Sequence, residues 1–273
     1  LVGSEMCIRD SLTTILVLPL MSCSGKYPTY ALLIPAFFPL AWRGPALWFV
    51  YIIGVAMAVL LARVLRKSVL KGESHPLVME LPPYRMPTAR GLLIHMWERS
   101  WQFLKKAGTV ILAAAILLWF LTNWPAPKKD TLLEIPETAV AKTVLENSIV
   151  GRTGRAMEPA LRAIGLDWKV GTALIAAVGA KEIFVAQLGI VYGHTGETGE
   201  ELSARLAVDY TPLAGFCLLL FTLVASPCVA TVAVTMRESG SWKWAAFQWA
   251  GLTVMAYIIA LAAYQGGRVI GLS

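Results

Sequence analysis

The chain has 273 residues, of which 57% are hydrophobic and 15% charged, and its mean hydropathy is +0.63. A soluble domain carries about 25% charged residues, and several stretches here run roughly 20 residues almost without charge, the length that crosses a bilayer as a helix. A soluble globular chain is excluded, and the net charge of +7 resides largely in basic residues lying between apolar stretches, a membrane-orientation pattern and not a nucleic-acid footprint.

Taken in chain order, residues 1–11 have neither an initiator Met nor the layout of a signal peptide. They resemble a translated sequencing adapter, so a non-native leader is expected there, and Cys7 is set aside with it. Residues 12–41 are apolar but carry Pro19, Gly25, Pro28, Pro35 and Pro39. Proline interrupts the helical hydrogen-bond ladder, which predicts two short half-helices around an irregular centre. Residues 45–65 form a clean span ending in basic residues. Between Arg63 and Lys106 stand nine Lys/Arg against Glu73, Glu80 and Glu98, which predicts a cytoplasmic loop and places 125–140 on the other side.

Within that loop, Leu93, Met96, Trp97, Trp101 and Leu104 recur at helical spacing among basic residues, predicting an amphipathic helix over 90–106 lying in the interface. A second clean span is predicted over 107–124, and an amphipathic stretch, interfacial or buried in a bundle, over 143–165. Residues 168–193 form a span interrupted by Lys181 and Glu182, residues 211–236 a span broken near Pro227, and residues 242–265 the last span. Trp42, Trp48, Trp119, Trp124, Trp168, Trp242 and Trp244 lie near the ends of apolar stretches, as an aromatic belt requires. The expected fold is an all-α integral membrane protein, a polytopic helical bundle with broken or re-entrant helices and one interfacial amphipathic helix.

Three features could carry chemistry. Ser22-Cys23-Ser24-Gly25 and Ser226-Pro227-Cys228 each set a cysteine beside small residues and a helix breaker inside an apolar segment. Unwound backbone at membrane depth is tolerated only where it is buried in protein or lines a cavity, and transporters use it to hold ions near the midplane. A thiolate suits a transition metal better than an alkali ion or a sugar. The plain alternative for each is a proline kink with a small cysteine filling space. The third feature is Lys181-Glu182 near the centre of 168–193, where charge is costly and points to function; the plain alternative is a structural charge bonded to a neighbouring helix. Cys217, in FCLLLF, reads as packing. Gly189-x-x-x-Gly193 and Gly54-x-x-x-Ala58 permit close helix approach. His75, His95 and His194 fall in loops or the interface, and no P-loop, G-x-S-x-G or H-E-x-x-H motif occurs.

LPLMSCSGKYPTYALLIPAFF (18–38), HMWERSWQFLKKAGTVILAAAILLWFL (95–121), GLDWKVGTALIAAVGAKEIFVAQLGIVYG (165–193) and SPCVATVAVTMRESGSWKWA (226–245), in this order, resemble the ferrous iron transport protein B family. The resemblance implies Fe(II) uptake across the bacterial inner membrane by a multi-pass permease. It also implies a GTP-binding domain, with its GTP and Mg, and early membrane helices, all absent from this chain; the chain alone is then expected neither to hydrolyse GTP nor to form a complete pore. It implies division into 12–66 (first gate-type broken segment and transmembrane helix), 67–106 (cytoplasmic basic loop and interfacial helix) and 107–270 (second gate-type segment). The family's pore cysteines correspond to Cys23 and Cys228, and Glu182 falls in its A-K-E stretch; from its setting alone Glu182 reads as a hard oxygen ligand or proton acceptor on a cation path. Ser22, Ser24, Gly25, Ser226, Pro227 and Lys181 support the breaks. Implied partners are ferrous iron, the bilayer, the GTPase region, small accessory Feo proteins and further copies of the chain. Ala225-Ser226 departs from the more familiar tyrosine-threonine pair.

Three other readings stay open on the residues alone. One is a gate-type permease for nucleosides or another organic solute. Another is a membrane-embedded thiol enzyme, which needs a base beside Cys23 or Cys228 that the histidine positions do not offer. The third, a structural scaffold without conduction, is hard to reconcile with the intramembrane Lys181-Glu182 pair.

Overall fold

A computed structural model describes residues 12–69, 86, 88–125, 137–193, 199–225 and 227–271. The expected leader, with Cys7, and His75, His194 and Ser226 lie outside the described residues. Those described are helical with no strand, and the chain is an all-α membrane protein. After a helical stretch over 12–17 and two 3-10 turns, Leu18–Leu20 and Ser24–Lys26, come α1 (Tyr27–Phe37), α2 (Leu40–Ser68), α3 (Ala89–Asn123), α4 (Glu137–Asn147), α5 (Ile149–Arg162) and α6 (Trp168–Gly179). They are followed by α7 (Ile183–Val191), α8 (Gly199–Asp209), α9 (Pro212–Val224), α10 (Val229–Ser239) and α11 (Trp242–Val269).

Leu40–Ser68, Trp242–Val269 and, counted through its break, Pro212–Ser239 are long and apolar enough to cross a membrane. At 1.5 Å per residue α2 is about 43 Å long, more than the roughly 30 Å hydrocarbon core. Only 17% of its apolar window is buried, against 59% for Pro212–Ser239, so α9 is the inner helix and α2 presents Trp48, Phe49, Ile52 and Val59 outward. The main core joins Leu33, Val170, Phe184, Leu206, Leu218 and Ala256. Trp42, Trp48, Trp119, Trp124 and Trp242 are exposed at helix ends, whereas Trp168 is partly buried under the Arg155 guanidinium, 5.1 Å from its ring centre.

One expectation changes and another is narrowed. The interfacial helix over 90–106 and the span over 107–124 are one continuous helix, α3, because nothing between Arg90 and Leu121 breaks the ladder: no proline occurs, Gly91 sits in the first turn with its amide on the Thr88 cap, and Gly108 in the interior costs only about 1 kcal/mol. Its apolar part, Ile111–Asn123, is shorter than a full span. The stretch 143–165 is likewise two helices joined at Ser148, whose hydroxyl accepts from the Gly151 amide at 3.1 Å. Its apolar side packs on α6: a Cβ on Gly154 would stand 2.7 Å from the Thr172 methyl, so that helix belongs to the bundle.

Candidate functional site at three helix breaks

Proline sets the first and third breaks by removing an N–H and excluding a straight helix. Pro19 leaves the Ile15 carbonyl without its helical donor, and the side-chain amide of Gln248, on α11, donates to it at 2.8 Å. Pro227 likewise cannot bond the Leu223 carbonyl four residues back; Lys26 Nζ donates to it at 2.7 Å and to the Pro19 carbonyl at 2.8 Å. The backbone gaps made by proline are thus filled by long polar side chains from distant sequence, as burial of a carbonyl requires.

The second break, between α6 and α7, has no proline. Ala180 is extended, at φ −150° and ψ 138°, and Lys181 and Glu182 turn before α7 begins. The interruption expected at Lys181 and Glu182 is thus a break in the backbone itself, and the break carries the charged pair. Lys181 Nζ donates to the Ala225 carbonyl at 3.1 Å, just past the end of α9. Positive groups at a helix C-terminus meet its unpaired carbonyls and negative dipole end.

The first break closes against the second. A Cβ on Gly25 would lie 3.3 Å from Glu182 Oε1 and 3.4 Å from Lys181 Cβ, so glycine permits the approach. Gly54 does the same from α2, where a Cβ would lie 3.1 Å from the Leu20 carbonyl and 3.3 Å from Leu223 Cδ1.

Cys23 precedes the Ser24–Lys26 turn with an extended backbone and is exposed, as are Ser24 and Glu182. Cys228 caps the start of α10, half-buried, with its sulfur 3.3 Å from Thr231 Oγ1; Pro227 beside it is buried. Both thiols stand within electrostatic reach of the Lys26 and Lys181 ammonium groups. The breaks thus bring Cys23, Cys228, Gly25, Lys181 and Glu182 to one region. Among the described residues, no three His, Cys, Asp or Glu side chains form a ready-made metal cage. The hydroxyls of Ser22 and Tyr30 are buried near each other without meeting bonding geometry, which leaves two oxygens uncommitted beside Cys23. A cavity of about 430 Å³ opens next to the crossing, bounded by Lys26, Lys181, Tyr30 and three threonines (Thr29, Thr222 and Thr253) and mostly by apolar side chains such as Leu118 and Leu174.

Lys26, Gln248 and the nonproline break escape a reading that follows cysteine and proline alone. Lys26 was visible in the sequence by the same rule that singles out Lys181, a charge inside an apolar segment.

The limb that carries Lys181 and Glu182 is anchored at its other end. Asp167 accepts from the Lys169 and Val170 amides at the start of α6 and from the Tyr210 hydroxyl. Asp209 binds Lys169 Nζ at 2.7 Å and accepts from the Tyr192 hydroxyl at 2.8 Å. The bond from Lys169 holds the Asp209 carboxyl below the ordinary carboxylate range. Burial, and then the Asp167 charge, push the Tyr210 phenol well above its ordinary range.

Unwound backbone, two cysteines and a carboxylate stand where broken helices cross, and the chain is a membrane protein built on interrupted helices. Residues 104–242 match the Gate family, described as nucleoside recognition, and residues 47–99 match the ferrous iron transport protein B C terminus. Over 95% of its length the chain is 37% identical to the Fe(2+) transport protein A/Fe(2+) transporter FeoB fusion protein of Porphyromonas gingivalis, covering 35% of that relative. It is 34% identical to the Fe(2+) transporter FeoB of Leptospira biflexa over 96% of the chain and 39% of the relative. With that of Methanocaldococcus jannaschii it shares 36% identity, over 93% and 36% respectively. The chain belongs to the ferrous iron transport protein B (FeoB) family, and it spans well under half the length of these curated relatives. No solved structure matches it.

Proposed function

We propose that this chain forms part of the Fe(II) permeation path of a GTP-regulated, multi-pass inner-membrane transporter. Cys23 and Cys228 supply soft donors from two different breaks, and Glu182 adds a hard oxygen and a negative charge. Soft thiolates favour a first-row transition metal over Mg²⁺ or Ca²⁺, and the uncommitted Ser22 and Tyr30 hydroxyls can replace water as the ion sheds its shell. GTP and Mg²⁺ act through a domain outside this chain. Small accessory Feo proteins are partners, a reading supported by the printed name of the P. gingivalis relative, which joins transport protein A to FeoB. Further copies of the chain complete the assembly, and nucleic acid has no part in it.

The observation that supports this reading is the tying together of three breaks by Lys26 and Lys181, with both thiols within electrostatic reach of the two ammonium groups. Replacing Cys23 or Cys228 by Ser in the intact protein should reduce Fe(II) uptake into proteoliposomes about tenfold or more, the loss of one good metal ligand, and leave GTP hydrolysis intact. Unchanged uptake rules out the ligand role. The Gate description and the 430 Å³ cavity favour an organic solute as the second reading. Its apolar walls offer few polar partners for a nucleoside, and solute uptake that ignores competing Fe(II) would decide for it.

A further inference from the structure

Among the described residues Lys26 is the one charged side chain that is fully buried, at 3% exposure. Its ammonium group holds carbonyls from two different breaks, Pro19 of the first and Leu223 of the third. Lys181, from the second break, holds the Ala225 carbonyl of the third. Carbonyl oxygens of unwound helices are the groups with which transporters coordinate a cation at mid-membrane. Here three such oxygens hold ammonium groups instead. A lysine ammonium is a compact point charge with three donors on a flexible stem, in effect a cation on a tether.

The two ammonium groups also stand within electrostatic reach of each other and of both thiols. Like charges repel, most strongly on the buried Lys26 side of the crossing, so a divalent ion beside these sulfurs is disfavoured while both ammonium groups stay. Glu182 brings one carboxylate to the crossing, and even with both sulfurs ionised three negative charges do not offset two lysines and a dication together.

We propose that Lys26 and Lys181 are tethered cations that close the crossing, and that Fe(II) and the ammonium groups occupy it in alternation. This rests on the iron reading above and adds residues that gate and set affinity. A lysine that serves only as a carbonyl cap makes the opposite prediction. Deleting a cap loosens the site and weakens metal binding, whereas deleting a competitor tightens it.

The test uses the intact transporter in detergent, anaerobically, with Fe(II) as the probe. N-ethylmaleimide modification of Cys23 and Cys228 is followed by peptide mass spectrometry across an Fe(II) titration, and acylation of Lys26 is followed in the unsubstituted protein. In Lys26→Met the midpoint of Fe(II) protection should fall about tenfold, while Lys26→Arg, which keeps the charge, should stay near the unsubstituted value. Saturating Fe(II) should raise Lys26 acylation severalfold as the side chain leaves its buried carbonyls. An unchanged or higher midpoint in folded Lys26→Met overturns the proposal, as does Lys26 acylation that Fe(II) leaves unaltered. The acylation measurement needs no substitution and decides the matter even if Lys26→Met does not fold. If Fe(II) protects neither thiol in the unsubstituted protein, the iron reading itself falls. Protection there without tightening in Lys26→Met removes the lysine proposal alone.

Discussion

Gln248→Leu should destabilise the first break from a position 229 residues after Pro19. Gln248 Nε2 donates to the Ile15 carbonyl at 2.8 Å and reaches the Leu16 carbonyl at 3.3 Å, while Oε1 accepts from Thr235 at 2.8 Å. Gln248 is 3% exposed and Thr235 is fully buried, so water does not take over these bonds. Leucine keeps most of the volume and removes all three. The Ile15 carbonyl, which Pro19 denies a helical partner, and the Thr235 hydroxyl are then unpaired, each at about 1–3 kcal/mol. Removing the amide also removes its own desolvation cost, which points to the lower part of that range and a total of roughly 2–4 kcal/mol. At about 2–4 °C per kcal/mol for a chain of this size, the midpoint should fall by roughly 4–16 °C. Thermal unfolding in detergent, followed by near-UV circular dichroism, measures it. Thr235→Val removes one of the same bonds, so the double variant should lose less than the sum of the singles. A Gln248→Leu midpoint within about 1 °C of the parent, or strictly additive losses, refutes the reasoning.

The remaining predictions concern the other contacts that hold the site. Gly25→Val forces β-branched bulk into the space beside Glu182 Oε1 and Lys181 Cβ, and should cost about 1–3 kcal/mol and lower Fe(II) uptake, whereas Gly25→Ala should be milder because the carboxylate can give way; equal effects would contradict the packing argument. Gly215→Ala sets a Cβ 2.2 Å from the Phe37 ring, so it should destabilise the α1–α9 contact by a similar ~1–3 kcal/mol in the same thermal assay. Asp209, held below the ordinary carboxylate range by Lys169, stabilises the fold above its unfolded value near pH 3.9 and loses that contribution as pH falls through its lower folded value. Its side chain is 37% exposed, so the contribution is only about 0.2–1 kcal/mol. The acid-side slope of stability should be shallower in Asp209→Asn than in the parent, and an unchanged slope would show that the carboxylate is not what titrates.

What the sequence disclosed follows from what single residues can dictate. Pro19, Pro28 and Pro227 each delete a backbone donor, so the broken courses of 12–41 and 211–236 are written locally, as are the apolar lengths of α2 and α11. The break at 180–182 is not written that way. Ala180, Lys181 and Glu182 can all be helical, and tertiary bonds such as Lys181 to Ala225 accompany their departure from the ladder. The continuous α3 shows the converse: a change from amphipathic to apolar pattern marks a change of surroundings, not an end of the helix. Cys23, Cys228 and Glu182 could be singled out by residue type and setting. Lys26 and Gln248, which fill the backbone gaps at the breaks, act across separations of 197 and 233 residues, distances over which no spacing rule operates.

The central claim, that the crossing of the breaks is a thiolate site for Fe(II), is tested most directly by X-ray absorption at the iron edge. The sample is the intact transporter loaded anaerobically with one Fe(II). The account predicts sulfur scatterers at roughly 2.3 Å, the usual metal–thiolate distance, reduced in Cys23→Ser and in Cys228→Ser and absent when both are replaced. An iron shell made of oxygen and nitrogen alone, indifferent to both cysteines, would contradict it.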